Sequence, residues 1–226
     1  VYATARNERY FPDLVALDPD RVVPLLLDVN VPAHREAAAA AATDLTWLIN
    51  NAAYPGSREP DERRVLSASS LADCKQVMQT NCWSPAELAR LFAPVIIDNG
   101  GGAIANVLSA ASWFCLPEYT AYSISKAAAM MMTAGIRAEL DRDPVLVASV
   151  FTGGVDTRAS PAGYSGGTTP EAHAREVFDA MARGDTEVYA AGSRAMRERI
   201  NDDPVAFERM RIERFWDDPL VIRNHL

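Results

Sequence analysis

Short apolar runs alternate with helical segments along most of this chain, and that alternation limits the possible folds more than any other feature. Strands are predicted over residues 1–5, 21–28, 43–51, 103–108, 145–151 and 186–190. Helices are predicted over residues 34–42, 71–98, 119–140 and 169–183. The run at 43–51 is apolar through its centre, as is typical of a strand buried on both faces. The pattern predicts an α/β fold with a doubly wound parallel sheet, in which ligands bind beyond the carboxyl ends of the strands.

Length and composition restrict the functions that this chain can have. A chain of 226 residues with 49% hydrophobic content suits one domain, residues 1–226, in which about 184–226 form a C-terminal capping segment of irregular helices. The formal charge of −8 disfavours a nucleic-acid partner, and we find no apolar run of roughly 18 residues that predicts a membrane span. Cys74, Cys82 and Cys115 lack the spacing of a disulfide framework or metal site, so we expect no metal and a cytoplasmic location.

Tyr122 and Lys126 lie four positions apart near the start of a predicted helix. Side chains at this spacing share one helix face and lie about 6 Å apart along the axis. A phenol with a pKa near ~10 is a useful acid or base at neutral pH only if a neighbouring group stabilises the phenolate. The lysine ammonium can do this, although a half-exposed tyrosine and a solvated lysine at a helix start would show the same spacing.

The long predicted helix before this pair carries two local signals. Ser70-Leu-Ala-Asp73 is a variant of the capping box and predicts the start of the helix. Pro85 has no N–H, so the carbonyl of Asn81, four residues earlier, loses its usual helical partner. We expect that carbonyl to bind another group.

Polar residues follow several predicted strands, at the edge of the sheet where ligands bind. They are Asp28, Asn50, Asn51, Ser109 and the segment 152–157. Ser109 stands 13 residues before Tyr122, so its hydroxyl can face the phenol across a loop. A single serine here is commonly a cap and an asparagine pair is commonly a turn, so only the combination predicts a site.

Taken in chain order, these motifs resemble those of the short-chain dehydrogenase/reductase family. Asn50-Asn-Ala-Ala53 resembles the family's Asn-Asn-Ala-Gly, and Asn106-Val-Leu-Ser109 and Tyr122-Ser-Ile-Ser-Lys126 also match its pattern. Thr152-Gly-Gly-Val-Asp-Thr157 is similar to the family's Pro-Gly-x-x-x-Thr turn. The resemblance extends from residue 1 to about residue 183 and implies a Rossmann-like sheet.

The resemblance implies a catalytic tetrad of Asn81, Ser109, Tyr122 and Lys126. Tyr122 would pass a proton to or from the substrate oxygen while hydride moves between the nicotinamide and the carbinol carbon. Ser109 would hold that oxygen, and Lys126 would lower the phenol pKa and bind the nicotinamide ribose. Asn81 would anchor a proton-relay water through its backbone carbonyl, in agreement with the effect expected of Pro85.

The resemblance also implies a set of cofactor-binding residues. They are Arg6, Asp28, Val29, Asn51, Ala52, Ala53, Tyr122, Lys126, Thr152, Gly153, Val155 and Thr157. Asp28 and Val29 would flank the adenine, and Thr157 would contact the carboxamide. Ala5 stands where an NAD-preferring unit has an acid, and Arg6 beside it suits a 2′-phosphate. NADP is therefore expected and NAD is less favoured, although Arg6 could also be an ordinary solvated residue.

Three features depart from the family pattern. Ala53 replaces a glycine, and Thr152 replaces a proline. The family's opening strand, glycine-rich turn and helix, which together span roughly 30 residues, have no counterpart here. We therefore expect an N-terminally truncated fold that lacks the first strand and first helix, has two strands with unpaired edges and lacks the turn that binds pyrophosphate.

Two functions remain open. The first is an NADP(H)-dependent oxidoreductase that interconverts a carbonyl and a secondary alcohol on a small molecule, as a homodimer or homotetramer. The alternative is a catalytically inactive chain that acts as a binding or oligomerisation partner. In the first case, the loop from Asp156 to Thr168 and the aromatic segment 112–117 would recognise a fairly apolar substrate.

Overall fold

The computed structural model describes residues 1–157 and 167–217, and all strand pairs within those ranges are parallel. The strands are β1 (Tyr2–Ala5), β2 (Val23–Leu26), β3 (Trp47–Asn50), β4 (Gly102–Val107), β5 (Val145–Thr152) and β6 (Glu187–Ala190). The helices are α1 (Phe11–Val15), α2 (Pro32–Ala41), α3 (Ala72–Met78), α4 (Ser84–Asp98), α5 (Thr120–Glu139), α6 (Pro170–Ala182), α7 (Ser193–Asp202) and α8 (Pro204–Trp216). The predicted α/β fold with a Rossmann-like parallel sheet is confirmed.

The strands form two sheets rather than one. β1 pairs with β2, and the other four strands follow the order β3-β4-β5-β6. Within the described residues, β1 and β3 each pair with a strand on one side only. Both strands line a cavity of about 660 Å³, and Tyr2 Oη donates to Asp44 Oδ1 at 2.7 Å beside it. The unpaired edges expected from the sequence are therefore present.

Helices cover both faces of the four-stranded sheet. On one face, Leu48, Ile104 and Val147 pack with Leu88 and Phe92 of α4. On the other face, small residues of β4 and β5 pack against α6 in a cluster that includes Val177 and Met181. This two-sided burial explains why β4 and β5 are apolar along most of their length.

β3 is shorter and less buried than its sequence predicts. It begins at Trp47 rather than at Thr43, and Trp47 and Ile49 are each 38% exposed. Leu48, which points to the opposite face, is buried in the core against α4. Phe178 of α6 reaches Trp47 at a ring distance of 5.9 Å but leaves that face partly open. The prediction of burial on both faces is wrong for this strand because only one face is fully covered.

The long helix expected over residues 71–98 consists of α3, a π-helical turn (Gln79–Trp83) and α4. The capping box is only partly formed, because Ser70 Oγ accepts from Ala72 N at 3.3 Å but Asp73 does not close it. The Asp73 carboxylate instead accepts from Tyr54 Oη and Ser57 N, at 2.7 and 2.9 Å. The carboxylate therefore binds two donors of the preceding loop and does not cap the start of α3.

The segments near both ends of the chain contain more regular helix than the sequence predicts. Residues 11–15, for which the sequence analysis predicts neither a strand nor a helix, form the short helix α1. The C-terminal segment forms two regular helices, and Asp203 caps α8 by accepting from Ala206 N at 2.9 Å, with Pro204 at the first helical position. The last part of that predicted segment, residues 218–226, lies outside the described residues. Among the described helices, none is both long and apolar enough to cross a membrane.

Candidate active site

Tyr122 and Lys126 occupy the first two turns of α5, and Ser109 follows β4 at the end of the sheet beside them. Ser109 hydrogen-bonds to the Tyr122 phenol, and its Oγ also accepts from Ala111 N at 3.2 Å. The serine is therefore both the cap of a short 3-10 turn and a partner of the tyrosine. The structure brings together these three residues, as the sequence predicts.

Lys126 is 3% exposed, and its ammonium contacts the end of β4. Its Nζ donates to Val107 O at 2.8 Å and lies 5.6 Å from the centroid of the Tyr122 ring. Burial lowers the pKa of Lys126 to about 8, because the charged ammonium loses its hydration. The ammonium is thus near the phenol but already bonded to a carbonyl.

The Tyr122 phenol differs from its expected state. Burial raises the pKa of Tyr122, and the hydrogen bond with Ser109 only partly opposes this effect. Lys126 does not lower this pKa as expected, since its ammonium lies over the ring and bonds to Val107 O.

Asn81 lies in the π-helical turn, and its side chain makes contacts that the sequence did not predict. Its Oδ1 accepts from Tyr54 N at 2.7 Å, and its Nδ2 donates to Tyr54 O at 2.9 Å. The same Nδ2 donates to Ser125 Oγ at 2.9 Å, and Ser125 Oγ donates to Tyr122 O at 2.7 Å. Asn81 therefore connects the loop after β3 to the helix turn that carries the tyrosine.

Ser125 makes contacts within the site that the sequence analysis missed. It is fully buried, between Tyr122 and Lys126 in sequence, and it bonds to both Asn81 and α5. Its only sequence signal is a small polar residue inside the tyrosine-lysine motif. The π-helical turn was also missed; there Ser84 N donates to Gln79 O, five residues earlier. Such turns are frequent at functional sites.

The predicted nucleotide-side residues gather in a cavity of about 560 Å³ at the carboxyl ends of β1, β2 and β3. Five of them line it, namely Arg6, Asp28, Val29, Ala52 and Ala53. Asn30, Tyr54, Gln76 and Thr80 also line it, and none of these was predicted. Asn51 lies instead beside the larger cavity between the two sheets, which Ala52 also lines.

The second group of predicted cofactor residues lies at the end of β5 and just after it, and does not line this cavity. Gly153 approaches another backbone closely, because a Cβ at this position would lie 1.9 Å from Ala191 O. Thr152 Oγ1 is buried and has no hydrogen-bond partner among the described residues. Val155 bridges to Thr168, and Thr157 is the last described residue before the gap. Residues 158–166, which carry most of the predicted substrate loop, lie outside the described residues.

The aromatic segment after Ser109 packs against other parts of the protein, although the sequence predicts that it contacts the substrate. The Trp113 ring lies 4.5 Å from the Phe151 ring and 5.8 Å from the Tyr189 ring. The Phe114 ring meets Phe207 of α8 edge-on at 5.0 Å. Much of this predicted substrate segment therefore fixes the C-terminal helices over the sheet. In the part of the chain that is described, no group of His, Cys, Asp and Glu side chains is suited to hold a metal ion.

Comparison with known proteins gives the family of the chain. A family model described as short chain dehydrogenase matches residues 4–164. A ketoacyl reductase, HetN, from Nostoc sp. is 30% identical over 179 residues, which are 74% of this chain and 60% of that protein. The chain therefore spans less than two thirds of the length of that relative.

Solved structures show the same fold. A short chain dehydrogenase from Burkholderia cenocepacia in complex with NADP is 34% identical, with a TM-score of 0.79 over 92% of this chain and 84% of that one. A short chain dehydrogenase/reductase from Burkholderia phymatum in complex with NAD is 19% identical, with a TM-score of 0.76 over 91% of this chain and 85% of that one. The second likeness concerns the fold alone.

Proposed function

Because the chain belongs to the short-chain dehydrogenase family, we propose that it interconverts a carbonyl compound and a secondary alcohol with NADP(H), using Tyr122 as the acid and base. The observation that carries this proposal is the convergence of Tyr122, Ser109 and Lys126 at one end of the sheet. Bound nicotinamide supplies or accepts the hydride. The remaining chemistry is a proton transfer to or from the substrate oxygen, for which a phenol held by a hydroxyl is suited.

Each member of the tetrad has a separate part in this mechanism. Ser109 orients the substrate oxygen, since its hydroxyl already bonds to the phenol that must exchange the proton. Lys126 remains mostly protonated at neutral pH, because a pKa of about 8 lies above it, so its charge favours the phenolate once Nζ turns from Val107. Asn81 holds the turn beside Tyr122 through Ser125, and its carbonyl is the proposed anchor for a relay water.

The preference for NADP over NAD follows from the residues after β1. Arg6 follows Ala5, which ends the strand, and lines the nucleotide-side cavity together with Asp28. A guanidinium at this position suits the 2′-phosphate of NADP, while the neighbouring Ala5 offers no carboxylate to the ribose hydroxyl of NAD. A relative of the same fold holds NADP at 34% identity, which supports this choice.

We also propose a homodimer or homotetramer that assembles through the long helices. Several large apolar side chains on or beside α3 and α5 are exposed, including Leu71 (47%), Trp83 (55%), Ile124 (49%) and Met131 (66%). A second copy of the chain that packs on these helices would cover such side chains, which is the basis of this proposal. The substrate is proposed to be a fairly apolar carbonyl compound, bound beside Ser109 and the segment that follows it.

The test combines nicotinamide fluorescence on titration with NADPH and turnover of simple ketones. Tyr122→Phe should reduce turnover by about 10²–10⁴-fold, because the phenolic proton is lost, and should leave NADPH affinity nearly unchanged. Tyr119→Phe is the matched control, since Tyr119 precedes α5 and lies outside the proposed machinery. Saturable NADPH binding with turnover that survives in Tyr122→Phe would refute the mechanism. A chain that binds no NADPH would instead support the inactive binding partner.

A further inference from the structure

Asn30, in the loop after β2, connects two parts of the site that lie far apart in sequence. Its side chain lies beside the nucleotide-side cavity, and its N–H donates to Asp28 Oδ1 at 2.9 Å. Its Nδ2 donates to Thr80 Oγ1 at 3.0 Å, and its Oδ1 accepts from Ser84 Oγ at 3.0 Å. One amide group therefore joins the Asp28 loop to two points on the long helix.

The hydrogen bonds around this amide fix its orientation. Thr80 Oγ1 donates its single proton to Gln76 O at 3.0 Å, so it can only accept from Asn30. Ser84 Oγ accepts from Gln79 Nε2 at 3.2 Å and donates its proton to Asn30 Oδ1. A reversed amide would place two acceptor oxygens against each other at Thr80. The network is therefore satisfied in one arrangement, which makes it a rigid connection.

The two helix partners lie on either side of Asn81. Thr80 precedes it within the π-helical turn, and Ser84 begins α4 directly after that turn. Thr80, Asn81 and Ser84 are all buried, at 7%, 3% and 0% exposure. Because a π-helical turn widens the helix and needs support from its surroundings, the contacts of Asn30 stabilise the geometry that presents Asn81.

We propose that Asn30 is a positioning residue that couples occupancy of the nucleotide-side cavity to the placement of Asn81 and, through Ser125, of Tyr122. This inference rests on the proposed function, since it treats that cavity as the nucleotide site. A ligand that contacts Asp28 orders the loop that holds Asn30, and Asn30 then holds Thr80 and Ser84. Every contact of this connection is present in the structure, so a ligand would act by stabilising it.

The test measures hydrogen exchange of the amides in residues 79–84 with and without 2′,5′-ADP, a probe that carries adenosine but no nicotinamide. In the unmodified protein, saturating probe should slow this exchange about fivefold or more. In Asn30→Ala the slowing should fall below about twofold, although the probe still binds. With ketone and NADPH, Asn30→Ala should lower kcat about tenfold and leave the ketone KM nearly unchanged, since the substrate contacts remain.

Two further variants make the result decisive. Asn99→Ala is the matched control, because Asn99 Nδ2 also joins two segments, through Thr43 O and Leu45 O, at the opposite end of the sheet. It should keep the full response of residues 79–84. Ser84→Ala removes one of the two bonds and should weaken the response partly, which gives a second reading if Asn30→Ala folds poorly.

The outcomes separate this inference from the proposed function. A wild-type chain that does not bind 2′,5′-ADP, or that binds it without slower exchange at residues 79–84, overturns the coupling. A full response in both Asn30→Ala and Ser84→Ala overturns it as well. If the response is present and depends on Asn30 while the chain reduces no ketone, the coupling stands and the proposed activity fails.

Discussion

Replacement of Lys126 by methionine should change how the free energy of unfolding depends on pH. Replacement of Lys75, the other lysine, should not. Burial lowers the pKa of Lys126 from 10.5 to about 8, which corresponds to about 3 kcal/mol. The side chain is 3% exposed, so solvent screening reduces this value little. The folded protein therefore carries a penalty for the charged ammonium at neutral pH.

The sign of the effect follows from proton binding. The folded state releases this proton near pH 8, whereas the unfolded chain keeps it until near pH 10.5. Between these values the unfolded chain binds more protons, so the free energy of unfolding rises with pH. From pH 7 to pH 10 the gain from this group is about 2–3 kcal/mol, and Lys126→Met lacks it. The free energy of unfolding of Lys126→Met, relative to that of the wild type, should therefore be highest at pH 7 and should fall as pH rises.

Urea unfolding at several pH values between 7 and 10 measures this difference directly. All other ionisable groups are common to both proteins, so the difference between the two unfolding curves reports mainly on Lys126. Lys75, the other lysine of the chain, is exposed on α3, and Lys75→Met removes a charge from solvent as a control. A difference between Lys126→Met and wild type that stays constant from pH 7 to 10 would show that the ammonium is not desolvated as described.

Two further predictions concern the cofactor and the glycines. Arg6→Ala should weaken NADPH binding about tenfold and leave NADH binding nearly unchanged, because only NADPH has the 2′-phosphate; equal losses in fluorescence titrations would contradict the assignment. Gly153→Ala should lower the free energy of unfolding by about 2–3 kcal/mol, since its Cβ would lie 1.9 Å from Ala191 O. Gly135→Ala, in α5 with nothing within 4 Å of the new methyl, should raise it by about 0.5–1 kcal/mol, and denaturation of both variants measures this contrast.

The strands and helices could be predicted because local patterns determine them. β5 is an apolar run between turn residues, and Thr169 followed by Pro170 marks the start of α6, where Thr169 Oγ1 accepts from Ala172 N at 3.2 Å. The exposure of Trp47 could not be predicted, since it depends on how far α6 extends over β3. Sequence periodicity indicates that a strand exists but does not show how completely its faces are covered.

Within the site, residue identity was predictable and hydrogen-bond partners were not. Tyr122 and Lys126 follow from the spacing within one helix, but the bond from Lys126 to Val107 O depends on where β4 ends beside α5. The side-chain contacts of Asn81 were missed for the same reason, because Tyr54 and Ser125 are 27 and 44 residues away in sequence. Asp73 shows the limit most clearly, since its carboxylate binds Tyr54 and Ser57 of the preceding loop instead of completing the local capping box.

The separation of the sheet also has a consequence for cooperativity. No strand pairing among the described residues joins β1 and β2 to the other four strands, so side-chain contacts hold the two bodies together. Arg6 and Asp28 belong to the smaller body, while Tyr122 and Lys126 belong to the larger one. Units connected in this way can open independently, with a lower free energy than global unfolding. A dinucleotide that contacts both would act as a cross-link, and part of its binding energy would be used to fix the smaller body in place.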